Sequence, residues 1–150
     1  MTSMVETVRP VPEGYRTLTQ SLVVVGADRF LDFLKKAFGA REAAMFRMPD
    51  GSVGHAEVLI GDSRIMLGEA GPEWPAMPGR AYMYVSDADA VYRQALAAGA
   101  VSVRELRDAF YGDRNGAVKD PFGNVWTIAT HKEDLSEEEM RKRMAAQASP

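Results

Sequence analysis

A chain of 150 residues with a formal net charge of −3, 46% hydrophobic and 26% charged, has the composition of a globular protein large enough to bury a core. The absence of cysteine excludes disulfides, thiolate nucleophiles and Cys-based zinc sites. The acidic balance, with basic residues that form no single run, offers no field for nucleic acid, and no apolar run approaches the ~20 residues that span a bilayer.

Residues 1–14 hold Pro10, Pro12 and Gly14 and read as an extended lead-in. Met1–Glu13 lacks a basic start followed by an apolar core, so no signal peptide is predicted and a cytoplasmic location is expected. A strand is predicted over Arg16–Val25. In the helix that follows, Arg29 to Phe38, residues Phe30, Phe33, Leu34, Ala37 and Phe38 make an apolar stripe, and Gly39 stops it. Strands are predicted near Glu42–Met48, His55–Ile60 and Arg64–Gly68, separated by Pro49-Asp50-Gly51 and Gly61-Asp62 turns. Residues 71–79, rich in proline and glycine, read as a linker. A second strand–helix unit follows, Ala81–Val85 and Ala90 to Ala98. Then come a strand at Ser102–Asp108, a loop at Tyr111–Asn115, and strands near Gly116–Lys119 and Asn124–Thr130. Asp134–Arg143 is predicted as a charged terminal helix, its glutamates ahead of its arginines as the macrodipole favours.

The chain therefore repeats. Val25 and Val85 are 60 apart, as are Gly39 and Gly99, and each pair frames a strand, a polar turn and a helix closed by Gly-Ala. Two copies of one supersecondary unit, residues 15–70 and 80–131, predict a pseudo-symmetric α+β fold with a cleft between the halves and a charged helix and tail over 132–150.

A βαβββ unit used twice, with Phe33-Leu34-Lys35-Lys36-Ala37-Phe38-Gly39-Ala40, Gly54-His55-Ala56-Glu57, Ile65-Met66-Leu67 and Asp120-Pro121-Phe122-Gly123-Asn124, resembles the vicinal oxygen chelate superfamily of glyoxalases, bleomycin-resistance proteins and extradiol dioxygenases. Phe110-Tyr111-Gly112-Asp113-Arg114 and Trp126-Thr127-Ile128-Ala129-Thr130-His131 strengthen the resemblance to its glyoxalase-like branch related to the phosphonate-operon B proteins. The resemblance spans residues 16–143. It implies two βαβββ modules forming an eight-stranded, partly open, barrel-like sheet with a cleft. In metal-using members, His and Glu side chains from the first and last strands of the modules hold a divalent ion that acts as a Lewis acid. Carried over residue by residue, those positions fall here at Thr19, near Arg80, at Thr127, and at Ile65 or Met66, none a good ligand. The usual divalent-metal ligand set is absent, and the sequence names no cofactor in its place.

His55 and Glu57, two apart on a strand, share a sheet face and could form an orienting pair, a general base or part of a metal site; Glu69 closes the neighbouring strand and could join them. His131 aligns with Glu69 in the repeat. Alternation puts Arg80, Tyr82 and Tyr84 on one face, and Thr19, Ser21 and Val23 on the corresponding face of the first strand. With Tyr111 and Thr127 these form a moderately polar lining suited to a ligand. Trp126 alternates away from Thr127, toward the core or a subunit contact. The leading expectation is a small-molecule binding protein that works without metal, as a homodimer whose partner copy covers the sheet edges. A metal-assisted lyase or isomerase of glyoxalase type using His55, Glu57 or Glu69 is the alternative, and a module whose groove binds protein is the third reading.

Overall fold

The computed structural model describes residues 7–148, so residues 1–6 of the predicted lead-in and 149–150 of the tail lie outside the described residues. The chain builds β1 (Gln20–Val24), α1 (Ala27–Phe38), β2 (Arg41–Arg47), β3 (Val53–Ile60) and β4 (Ser63–Glu69). It then repeats the series as β5 (Arg80–Tyr84), α2 (Ala88–Ala97), β6 (Val101–Asp108), β7 (Asp113–Lys119) and β8 (Val125–His131), and ends on α3 (Glu137–Ala148).

The eight strands form two open four-stranded sheets of identical topology, β1-β4-β3-β2 and β5-β8-β7-β6. In each, the first strand lies parallel to the fourth and the remaining pairs are antiparallel. Ser21 sits beside Met66 as Tyr82 sits beside Thr127, and Ile65 and Leu67 are buried as Trp126 and Ile128 are, so the paired strands repeat at 61 (21 to 82, 66 to 127). The spacing falls to 60 at Gly39 and Gly99, because α2 is two residues shorter than α1 but Ala98 stands between its end and Gly99. The alternation of burial thus settles which first-module residue matches Thr127: it is Met66.

Apolar burial explains the layering. Phe30, Leu34 and Ala37 of α1 are fully buried against the inner face of the first sheet, with Leu22, Val24, Ala56, Val58 and Leu67. In the second module Ala88, Tyr92 and Ala95 face Val118, Trp126 and Ile128. The two cores join: Phe38 packs on Trp126 with centroids 4.9 Å apart, and Phe30 on Phe122 at 5.1 Å. Trp126 is thus a core residue, its indole N–H donating to Asp120 Oδ2 at 2.8 Å. Asp120 also accepts from the backbone of Phe122 and Asn124, and Asn124 Oδ1 accepts from Gly79 N. The β7–β8 turn is thereby tied to the linker. At Gly79 a Cβ would lie 2.5 Å from a Leu22 methyl, so a side chain there would have to displace that end of Leu22.

Several boundaries differ from the sequence reading. The first strand starts at Gln20 rather than Arg16, because its ladder with β4 begins only at the Gln20–Ile65 pair. The predicted loop Tyr111–Asn115 is half strand, since β8 runs to His131 and gives Asp113, Arg114 and Asn115 partners. The terminal helix starts at Glu137, where the Ser136 hydroxyl accepts from Glu139 N, and continues past Arg143.

Candidate functional site

The sheet faces turned away from the helices carry the polar chemistry. On β5, Ala81 and Met83 pack into the core, which sends Arg80, Tyr82 and Tyr84 to the opposite face. Two strands over, β7 places Asp113 and Asn115 on that face, and β8 adds Thr127 and His131. Asp113, only 3% exposed, is the hub. Its Oδ2 accepts from Tyr82 Oη at 2.6 Å and Tyr84 Oη at 2.8 Å, and its Oδ1 from His131 Nδ1 at 2.8 Å. Burial alone would push this carboxyl up, but the hydrogen bonds from Tyr82, His131 and Tyr84 outweigh it and hold the group below its ordinary range.

The surrounding groups close the network. Asn115 Nδ2 donates to Tyr111 Oη at 2.7 Å and to Tyr82 Oη at 3.1 Å, and Arg104 donates to Asn115 Oδ1. Burial and then the bond to Asp113 raise the Tyr82 phenol, and the bond to Asp113 raises Tyr84, so both stay protonated. His131 Nε2 reaches Asp134 Oδ1 at 2.8 Å; flanked by Asp113 and Asp134, the imidazole is raised and favours its charged form. Tyr82 and Tyr84 are nonetheless 45% and 62% exposed, their ring centroids 5.2 Å apart and tilted by 54°. The inner ends of both side chains are fixed while their ring faces meet solvent.

These rings stand at one wall of a cleft of about 1150 Å³ between the modules, where Thr19 and Gln20 of the first strand, Phe38 of α1 and Gln94 of α2 complete the lining. Of the residues expected at the site, Thr19, Tyr82 and Tyr84 line this cleft; Ser21, Arg80, Tyr111 and Thr127 do not. Tyr111 acts through the network beneath, and Arg16 and Arg64 line the cleft without having been singled out as ligand contacts. The sequence reading also missed Asp113, Asn115 and Arg104. The spacing Tyr111-x-Asp113-x-Asn115 is the signal that would have found two of them, had the segment been read as a strand.

On the outer face of the first sheet a second cluster forms. His55 Nε2 lies 2.8 Å from Glu57 Oε2, Arg64 Nη1 donates to Glu57 Oε1 at 3.0 Å, and the Tyr15 hydroxyl donates to the same oxygen. The Arg64 guanidinium stacks 4.4 Å above the Tyr15 ring. Burial works to raise Glu57, but the bonds from Tyr15, His55 and Arg64 lower it overall. Glu69 does not join this cluster. Its carboxylate accepts from Gly26 N at 2.8 Å and Ala27 N at 3.0 Å, capping α1, because Gly26 stands at the N-cap without a side chain. The repeat position of Glu69 is Thr130, whose hydroxyl accepts from Ala88 N at the start of α2. The expected alignment of Glu69 with His131 is therefore off by one residue.

The donor set does not fit the divalent ion that the resemblance would imply. Thr19 and Thr127 offer hydroxyls, Met66 a thioether and Arg80 a cation where anionic or imidazole donors are needed, and Asp113 and Glu57 each already accept from three protein donors. Among the described residues no three His, Asp or Glu side chains are grouped to hold a cation.

The sequence profile described as the Glyoxalase/Bleomycin resistance protein/Dioxygenase superfamily matches residues 17–128. The chain is 33% identical over 141 residues to the uncharacterised protein Rv0887c of Mycobacterium tuberculosis, covering 87% of this chain and 83% of the relative. Among solved structures it is similar to TioX from Micromonospora sp. ML1, with 26% identity, a TM-score of 0.68, and coverage of 78% of this chain and 99% of that one. The fosfomycin resistance protein FosX of Mesorhizobium loti shares the fold, with 18% identity, a TM-score of 0.57, and coverage of 90% of this chain and 98% of that one.

Proposed function

The chain belongs to the glyoxalase/bleomycin resistance protein/dioxygenase superfamily, and from that premise we propose that it binds a flat aromatic small molecule in the cleft beside β5, without a metal ion. One observation carries this reading: Tyr82 and Tyr84 donate their protons inward to a shared buried carboxylate while their rings stand exposed at the cleft wall. Both phenols offer a ligand a π-face, and Tyr84 an acceptor lone pair as well, since the Tyr82 oxygen already accepts from Asn115; each loses little entropy on binding because it is already held. The metal-assisted alternative has less support, because Glu69 is spent on capping α1 and Glu57 on three donors.

The working form is taken to be a cytoplasmic homodimer. The edge strand β6 leaves Val101 and Val103 exposed, as a surface met by a second copy would. No helix among the described residues is long and apolar enough to cross a membrane. Titration calorimetry against a panel of planar aromatic acids and heterocycles, with protein stripped by chelator, tests the binding reading. Tyr84→Ala should weaken the best binder at least tenfold, about 1.4 kcal/mol. Affinity that appears only after a divalent metal is added back would overturn it.

A further inference from the structure

The cleft reading leaves the outer face of the first sheet without a role, although it holds a half-exposed histidine set on a buried carboxylate. Glu57 is ionised and can only accept, so the 2.8 Å contact fixes the proton of His55 on Nε2. The other ring nitrogen, Nδ1, is then the lone-pair bearer, and among the described residues it has no hydrogen-bond partner. The side chain is 41% exposed. Directly across the ladder Phe46 pairs with His55, its ring 6.3 Å away and open to solvent, and Met48 is exposed two residues on. A basic nitrogen thus borders an apolar shelf.

The support beneath is more elaborate than a lone ion pair needs. Arg64 balances the charge of Glu57, and Tyr15, arriving from the segment before β1, adds a third donor and stacks on the guanidinium. The carboxylate stays ionised and fixed in place, which holds the imidazole in one tautomer and one orientation. The second module has the opposite arrangement, since both nitrogens of His131 are occupied by carboxylates.

We infer that His55 Nδ1 is a proton-accepting centre for a weakly acidic hydroxyl compound, a phenol or an enol, whose apolar body rests on Phe46. On binding, the proton passes from the ligand hydroxyl to Nδ1. The ligand becomes a phenolate or enolate and the ring an imidazolium, whose Nε2–H remains on Glu57. Net charge is unchanged, and no other reagent is needed. The new cation then lies against Glu57 Oε2 on one side and the ligand's oxyanion on the other. This site lies on the other sheet from Tyr82 and Tyr84; Arg64 borders both, so His55→Gln and Tyr84→Ala are kept as separate arms of the test.

The probe is para-nitrophenol, whose phenolate absorbs in the visible and whose phenol does not. In buffer more acidic than the free phenol's own pKa, adding the protein should produce a saturable phenolate band. His55→Gln, which keeps a donor for Glu57 but has no basic nitrogen, should cut that band at least tenfold with an unchanged circular dichroism spectrum. Phe46→Ala should raise the concentration at half saturation several-fold. Nitrogen NMR of labelled histidine should show Nδ1 of His55 gaining a proton as the probe is added. The inference is overturned if the probe binds but stays protonated, if the band survives His55→Gln, or if it is lost in Tyr84→Ala and kept in His55→Gln.

Discussion

The outer faces of the two sheets answer the same problem with different parts. Each buries one carboxylate, and each satisfies it with tyrosine hydroxyls and a histidine nitrogen. Yet the two hubs are not repeat partners. Ala56 faces Leu67 as Gly116 faces Ile128, so Glu57 corresponds to Ala117, and Asp113 to Val53. The backbone frame is shared, whereas the clusters sit at different rows of it. The third donor sets the character of each face. In the first sheet it is Arg64, which neutralises Glu57 and leaves His55 with a free nitrogen. In the second it is another tyrosine, so the counter-charge for Asp113 comes from His131, which Asp134 also holds. One face keeps an imidazole nitrogen open, and the other has both engaged by carboxylates.

The largest effect should come from removing the hub that ties the most distant strands together. Asp113→Ala takes the shared acceptor from Tyr82 and Tyr84 of β5 and from His131 of β8, and should cost about 3 kcal/mol by urea unfolding. Glu57→Ala should cost less, about 2 kcal/mol, because His55 and Arg64 lie on the same and the adjacent strand, which the β3–β4 ladder already joins. Equal losses would mean that the two clusters are energetically alike and that the contrast drawn between them is wrong.

How much of this was legible depended on whether the signal was local. The stripe Phe30–Phe33–Leu34–Ala37–Phe38 identified α1 because helical period and burial coincide in adjacent turns. The duplication was legible from its turn glycines, and the open faces of β1 and β5 from alternation alone. Arg16–Thr19 was misread as strand because its start depends on where β4 begins to offer partners, 45 residues away at Ile65. Gly112, with φ +97°, disguised the beginning of β7 as loop. Asp113 was quoted within a motif but not as a hub, since its three donors come from β5 and the end of β8. Glu69 looked catalytic beside His55 and Glu57, and nothing local reveals that it serves a glycine N-cap 43 residues earlier.

That cap supplies a middle-sized test of the shared frame. Glu69 and Thr130 occupy the same repeat position and accept from the first turn of their helices, but α2 has a second cap in Asp87, which accepts from Ala90 N at 3.1 Å. Glu69→Ala removes the only side-chain cap of α1 and should cost about 1–2 kcal/mol; Thr130→Val, with Asp87 still in place, should cost about 0.5 kcal/mol or a little more. Thermal melts of both variants would compare them directly, and a larger loss at Thr130 would show that the helices are not capped in the way the geometry indicates.

The smallest effect, and the one that bears on the latched histidine of the second sheet, is the dependence of stability on pH. His131 has a pKa raised in the folded chain by Asp113 and Asp134, so folding favours its protonated form. Its stabilising contribution is fully present below the unfolded value of about 6.5 and fades as pH rises through the higher folded value. Asp113 works in the other direction: its lowered pKa contributes stability above the ordinary carboxylate range, and that is lost as pH falls into acid. The wild-type curve should therefore decline in two places, in acid through Asp113 and above about 6.5 through His131. His131→Ala should abolish the upper decline, amounting to at most one proton per molecule. Denaturant midpoints measured across that upper window read the difference. A decline that persists in His131→Ala would mean that Asp113 and Asp134 do not favour the charged imidazole, and that the second sheet is not latched as its geometry indicates.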